Sequence, residues 1–218
     1  MIRRHADAFR RYEPFVLPGR VLDWGCRQGV DSSLLREAFG DDIEIHGCDM
    51  LDEPYRVFAA HSGLVFTRLE HPSALPYASD SFDTVIGSGV LEHVDRPEES
   101  LLEVHRVLRP GGHLVITFLP NLYSLTELAR TVLRQPHHAR RYTARRIDRE
   151  LRGSGFEPLY TGYHQVLPTL SGPASGAVGG VVSLRRPIER LYDANRWLEQ
   201  RRPFNRVAAN LLVIARRV

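Results

Sequence analysis

Apolar positions along this chain switch repeatedly between a period of two and a period near 3.6, and the switches mark its elements. Short apolar or alternating runs at residues 20–24, 44–48, 64–68, 83–87, 113–118, 156–163 and 208–215 predict seven strands. Helical spacing lies between them. Ala8, Phe9 and Tyr12 predict a short opening helix that stops at Pro14, and Asp31-Ser32-Ser33 predicts the cap of a helix through Leu34, Leu35, Ala38 and Phe39, ended by Gly40. Further helices are expected at 55–60, 97–108, 121–135 and 143–152, the last with Thr143 as its cap and Gly153-Ser154-Gly155 as its stop. Pro110-Gly111-Gly112 reads as the turn into the fifth strand. Residues 164–184 read as a Gly-, Pro- and Ser-rich linker or lid, and Ile188, Leu191, Tyr192 and Leu198 then recur at helical spacing. Strands alternating with helices imply an α/β, doubly wound, mostly parallel sheet with ligands at its carboxyl edge.

Composition places these elements in one domain. A chain of 218 residues with 43% hydrophobic content can bury a full core, and residues 1–218 are expected to form a single unit. Its parts are an N-terminal helix or lid (1–18), a core (19–120) and a distal part (121–218) containing an insertion at 164–206 and the last strand. Cys26 and Cys48 both fall at strand ends and read as buried thiols in a reducing compartment, ahead of a disulfide or metal site. The start of the chain has an acid at Asp7 and no apolar run, so no signal peptide is expected. The longest uncharged stretch, 158–184, is broken by Gly162, Pro168, Gly172 and Pro173; no membrane span is expected, and the location read from these features is cytoplasmic.

Charge is split along the chain. Residues 1–120 carry 12 Arg against 19 acids, a balance of −7, whereas residues 121–218 carry 17 Arg against 7 acids, a balance of +10. All 29 basic residues are Arg, a uniformity that fits a GC-rich coding bias. The basic distal part is either a solvated surface or a match for an anionic substrate, an anionic lipid surface or nucleic acid.

The candidate chemistry begins at Asp23-Trp24-Gly25-Cys26-Arg27-Gln28-Gly29, a glycine turn after the first strand, with Asp49 ending the second. That pairing holds adenosine-containing cofactors. A dinucleotide fingerprint fails, because Arg27 and Val30 stand where its second and third glycines belong. A P-loop fails as well, since the chain has no Lys. S-adenosylmethionine, an adenosine cofactor without phosphates, fits what remains.

Three blocks in order then make the chain resemble the class I S-adenosylmethionine-dependent methyltransferases, in particular the small-molecule group of the ubiquinone and menaquinone biosynthesis enzymes. They are Leu22-Asp23-x-Gly25-Cys26, Leu75-Pro76-Tyr77 with Phe82-Asp83, and Leu91-Glu92-His93-Val94 continuing to Arg106-Val107-Leu108-Arg109-Pro110-Gly111-Gly112. The resemblance implies a Rossmann-like, seven-stranded sheet, mostly parallel with an antiparallel last strand and helices on both faces. It implies that Asp23 and Gly25 line the methionine moiety, with Cys26, Arg27 and Gly29 also among the cofactor-binding residues, that Asp49 holds the ribose hydroxyls, Met50 packs on adenine, Glu70 or His71 reads the adenine amino group, and Ser88 faces the sulfonium. The family usually has Gly where this chain has Arg27, whose side chain either points outward, pairs with the cofactor carboxylate, or lowers cofactor affinity.

Methyl transfer from a sulfonium asks mainly for alignment, and for a base only when the acceptor loses a proton. His93 is the expected base, with Tyr123, Tyr142, Tyr163 and His164 as further candidates; the Glu92-His93 pair can also simply tie a helix start to its loops. Some relatives add a Glu three residues before this pair, completing a metal site. Gly89 stands there, His137-His138 reads as a solvated loop pair with nothing at ligand spacing to complete it, and no metal is expected. The chain also lacks the Asn/Asp-Pro-Pro-aromatic sequence of many base-modifying enzymes. The expected acceptor is an oxygen or carbon of a small-molecule or lipid-linked compound, anionic in character, with peripheral membrane contact and with nucleic acid disfavoured. Two other readings stand beside it: a catalytically silent module that keeps the fold, and an RNA methyltransferase. The sequence does not indicate the oligomeric state.

Overall fold

A computed structural model describes residues 2–51, 56–132, 134, 138, 140–167 and 193–218. The chain forms one seven-stranded sheet from β1 (Gly19–Trp24), β2 (Ile43–Asp49), β3 (Val65–Arg68), β4 (Phe82–Ser88), β5 (Leu108–Pro120), β6 (Phe156–His164) and β7 (Asn210–Arg217). Their spatial order is β3-β2-β1-β4-β5-β7-β6. β7 runs antiparallel to both β5 and β6, and the other pairs are parallel. Strand order reverses between β1 and β4, which opens a crevice at the carboxyl edge.

The strands read as nearly unbroken apolar runs because both faces of the sheet are buried. In β5, Leu114 and Ile116 enter one core and Val115 the other; in β7, Leu211, Val213 and Ala215 face the first, Leu212 and Ile214 the second. Helices α4 (Pro97–Val107) and α6 (Ala144–Gly153) cover the first face with Leu101, Val104, Ile147 and Leu151. Helices α1 (Ile2–Tyr12) and α2 (Val30–Phe39) cover the second with Ala8, Phe9, Tyr12 and Leu35. α3 (Arg56–Ser62) and α5 (Leu125–Val132) complete the set, and residues 193–199 are helical.

Several elements differ from their sequence-based expectations for physical reasons. Asp31-Ser32-Ser33 does not precede α2 but forms its first turn: the cap position is Gly29, in a left-handed conformation (φ 69°) without a side-chain cap bond. Asp31 is instead buried, taking hydrogen bonds from the Tyr12 hydroxyl (2.9 Å) and sharing one with His5 Nδ1 (2.8 Å), so it fastens α1 over α2. β5 begins at Leu108, and Pro110-Gly111-Gly112 lies within it. The helix expected over 121–135 starts only at Leu125, because Asn121 and Ser124 make turn bonds first: Asn121 Nδ2 donates to two carbonyls of the 206–208 segment, and Ser124 Oγ accepts from the Glu127 amide. Thr143 caps α6 as expected, its hydroxyl accepting from the Arg146 amide at 3.1 Å. The expected lid over 164–184 and the helix start near 187 fall mostly on 168–192, outside the described residues.

Candidate active site

The loop after β1 is shaped by three consecutive needs for left-handed backbone. Gly25, Arg27 and Gly29 have φ of 70°, 42° and 69°. Gly25 has no alternative, since a Cβ there would come within 2.3 Å of Val90. Its amide and that of Cys26 both donate to the Cys48 carbonyl (2.8 and 3.1 Å), which draws the loop across to the end of β2. Gly47 leaves room beneath this crossing; a Cβ there would press on Leu64 and the Cys26 sulfur. Both cysteines are free and buried. Burial pushes the Cys48 thiol up to about 12 and the Cys26 thiol higher still, so both stay protonated and inert.

Asp49 ends β2 beside this loop with each carboxylate oxygen held by one backbone amide. Oδ2 accepts from Arg27 N and Oδ1 from Leu51 N, both at 3.0 Å. A carboxylate oxygen has two acceptor sites, so each keeps capacity for a further hydroxyl in a fixed direction. This is how Arg27 is accommodated: the left-handed turn aims its amide at Asp49, while its exposed side chain lies near enough to His93 to lower that histidine's pKa. Next in sequence, Met50 is 43% exposed and offers an apolar face beside Asp49. Glu70 and His71 are both exposed, in the loop that Leu69 N ties to the Asp49 carbonyl at 2.8 Å.

Asp23 is buried and bound to α2, accepting from Ser32 Oγ at 2.5 Å and Ser32 N at 3.2 Å. Burial and the neighbouring Asp31 carboxylate push its pKa up to about 7 against the pull of those bonds. Asp23 thus fixes the start of the helix behind the glycine loop.

Across the crevice, β4 ends at Ser88, whose hydroxyl shares a 2.6 Å hydrogen bond with Thr117 of β5. Beyond it the Glu92-His93 pair is split between an exposed and an enclosed side chain. The His93 side chain is 66% exposed, and burial, His138 and Arg27 together lower its pKa, leaving a neutral imidazole at pH 7. Glu92 is the enclosed member, its side chain 4% exposed and its Oε2 buried without a hydrogen-bond partner among the described residues. Desolvation raises its pKa to about 7 even though Arg4 attracts the charge. Glu92 Oε1 lies 3.8 Å from His93 Nε2.

His138 completes a cluster that the sequence gave no reason to expect. Ligand atoms of Glu92, His93 and His138 all lie within 4.8 Å of one another, a two-imidazole, one-carboxylate set that could hold a borderline divalent ion. This corrects the expectation that nothing completes the His137-His138 pair; His137 itself lies outside the described residues. His138 is far from the Glu92-His93 pair in sequence, and buried Glu127 helps hold it there by accepting from the His138 amide at 3.1 Å. Of the other base candidates, Tyr142 is fully buried in the core and Tyr123 is 63% exposed. Tyr163 packs against the core, and His164 is buried with its ring 5.9 Å from Phe118.

The sheet order and the crevice at its carboxyl edge are those of the class I methyltransferase fold, and comparison with known proteins agrees on the fold. A family model described as "Methyltransferase domain" matches residues 1–161, and the chain belongs to this family of S-adenosylmethionine-dependent methyltransferases. It is 32% identical over 189 residues to a malonyl-[acyl-carrier protein] O-methyltransferase of Enterobacter lignolyticus, a match covering 84% of this chain and 70% of that protein. With the demethylmenaquinone methyltransferase of Geobacillus kaustophilus it shares 35% identity over 139 residues, 58% of each. In fold it matches a crystal structure of an S-adenosylmethionine-dependent methyltransferase from Thermotoga maritima, with TM-score 0.68 over 100% of this chain and 91% of that one at 16% identity.

Proposed function

We propose that the protein methylates an oxygen or carbon of a small-molecule or lipid-linked acceptor carrying negative charge. The observation that carries this reading is the joint placement of the glycine loop and the doubly anchored Asp49 opposite the Glu92-His93 pair, across the crevice at the switch in strand order. S-adenosylmethionine, when bound, supplies an electrophilic methyl group on a sulfonium with a neutral thioether as leaving group.

The chain's own residues do the rest. Asp49 holds the ribose, with Met50 against the adenine and Glu70 or His71 at its amino group; Asp23 and the 25–29 loop hold the methionine end. The His93 imidazole takes the proton that the acceptor loses, and the carboxylate of Glu92, 3.8 Å from its Nε2, stabilises the resulting imidazolium. The basic distal part, rich in Arg, favours an anionic acceptor over a neutral one.

The test is to incubate the protein with methyl-labelled S-adenosylmethionine and a cell extract, then separate lipids, small molecules, protein and RNA. Label in the lipid or small-molecule fraction that disappears with Asp49→Ala supports the proposal. Label only in RNA would replace it with the nucleic-acid reading, and no label in any fraction would favour a silent module.

A further inference from the structure

Helix α5 is built inside out. Its buried side carries Glu127 (3% exposed), and the residue before it is buried Ser124, while Leu125, Leu128 and Val132 are 53%, 57% and 72% exposed. The three apolar residues recur at i, i+3 and i+7 and so form one stripe, which Leu122 and Tyr123 extend at 45% and 63% exposure. The rotation is locked. Glu127 Oε2 accepts the His138 amide, Oε1 lies 3.3 Å from His138 Nδ1, and the Glu127 amide donates to Ser124 Oγ, so turning the leucines inward would break a buried polar set.

Beside the stripe lies a cationic cleft of about 490 Å³, lined by Leu122, Arg140, Arg141, Thr143 and Arg146. Arg140 is committed to the Val94 and Asp95 carbonyls, and Arg146 to Glu150 at 2.7 Å. Arg141, just before α6, is not, and Arg145 and Arg149 follow one turn apart on α6 itself. None of these three forms an ion pair among the described residues. The two acids of α6 cannot neutralise them, because Asp148 pairs with Arg152 and Glu150 with Arg146.

We propose that this face docks on an anionic bilayer, with Leu122, Tyr123, Leu125, Leu128 and Val132 in the interfacial region and Arg141, Arg145 and Arg149 against lipid phosphates. An apolar stripe on one helix beside unpaired cations on and before the next suits an interfacial surface, and charge complementarity selects anionic over neutral lipid. The face adjoins the candidate active site through Arg140 at Val94 and His138 at His93, so docking would bring the crevice to the bilayer that holds a lipid-linked acceptor.

The test is co-sedimentation of the full chain, without cofactor, on phosphatidylcholine vesicles with and without phosphatidylglycerol at about one third of the lipid. The expected result is binding to the anionic vesicles only, weakened by salt. It should fall at least about tenfold for Leu125→Glu/Leu128→Glu and for Arg141→Ala/Arg145→Ala, both of which keep S-adenosylhomocysteine binding. A parent chain that stays in solution, or vesicle binding unmoved by the leucine pair, overturns the proposal. So does sedimentation showing a dimer that Leu128→Glu dissolves, or vesicle binding that appears only after residues 168–184 are deleted, since each assigns the stripe another cover. Because cofactor binding is read separately, this proposal and the methyltransfer reading can fail independently.

Discussion

Glu92→Gln tests the electrostatics of the acceptor side without any substrate. The Glu92 carboxyl ionises near pH 7 in the folded protein and at the ordinary 4.5 in an open chain. Between those values the folded state holds a proton that the unfolded state has released, so this group makes stability fall as pH rises from about 4.5 to about 7, with no further change above. At 1.36 kcal/mol per pKa unit the full displacement corresponds to about 3 kcal/mol. Gln has nearly the same shape and no charge, and it removes that cost while Asp23, raised for its own reasons, is common to both proteins. Glu92→Gln should therefore be more stable than the parent by about 2–3 kcal/mol at pH 8 and within about 0.5 kcal/mol at pH 4.5. Urea unfolding followed by tryptophan fluorescence, with EDTA present to keep the Glu92-His93-His138 cluster free of metal, measures the difference at each pH. A gain of equal size at every pH, or a loss at pH 8, would refute the reasoning, because either result means that the buried carboxylate carries no net cost.

Three further outcomes follow from the geometry. Tyr12→Phe removes a buried hydrogen bond to the Asp31 carboxylate and should cost about 1.5–3 kcal/mol in the same unfolding assay; a change under about 0.5 kcal/mol would mean that Asp31 does not fasten α1. Arg27→Gly keeps the amide that anchors Asp49 and relieves a left-handed non-glycine residue, so stability should hold or rise by up to about 1 kcal/mol. Its S-adenosylhomocysteine affinity should stay within about fivefold of the parent, and a large gain in calorimetry would show that the Arg27 side chain obstructs the cofactor. His93→Ala should lower the rate on a proton-losing acceptor by about a hundredfold and flatten its rise with pH, with cofactor affinity unchanged; an unaltered pH profile would exclude His93 as the base.

Much of the fold was legible because the information is local. Apolar runs and turn residues marked every strand, and the spacing of Asp23, Gly25, Gly29 and Asp49 marked the crevice. The second and third motif blocks prove to be joined structurally: Arg106 donates to the Tyr77 and Leu75 carbonyls at 2.8 and 2.9 Å, so part of their recurrence together is scaffolding. What was not legible depends on contacts between distant segments. Asp31 sits at the start of a helix and reads as a cap, but its partners Tyr12 and His5 lie some twenty residues earlier. Glu92 and His93 are adjacent in sequence, yet only the backbone turn after β4 decides which of them is enclosed. A polar residue facing inward, such as Glu127, reverses a helix whose pattern alone would bury its leucines.

Calorimetric titration with S-adenosylhomocysteine tests most directly whether the loop after β1 and Asp49 form an S-adenosylmethionine site. Both carboxylate oxygens of Asp49 are fixed by backbone amides, so its two hydrogen bonds to the ribose should be worth about 3 kcal/mol together. The account predicts binding in roughly the micromolar range for the parent and an affinity about a hundredfold weaker for Asp49→Ala. A parent that does not bind, or an Asp49→Ala variant that binds equally well, would contradict it.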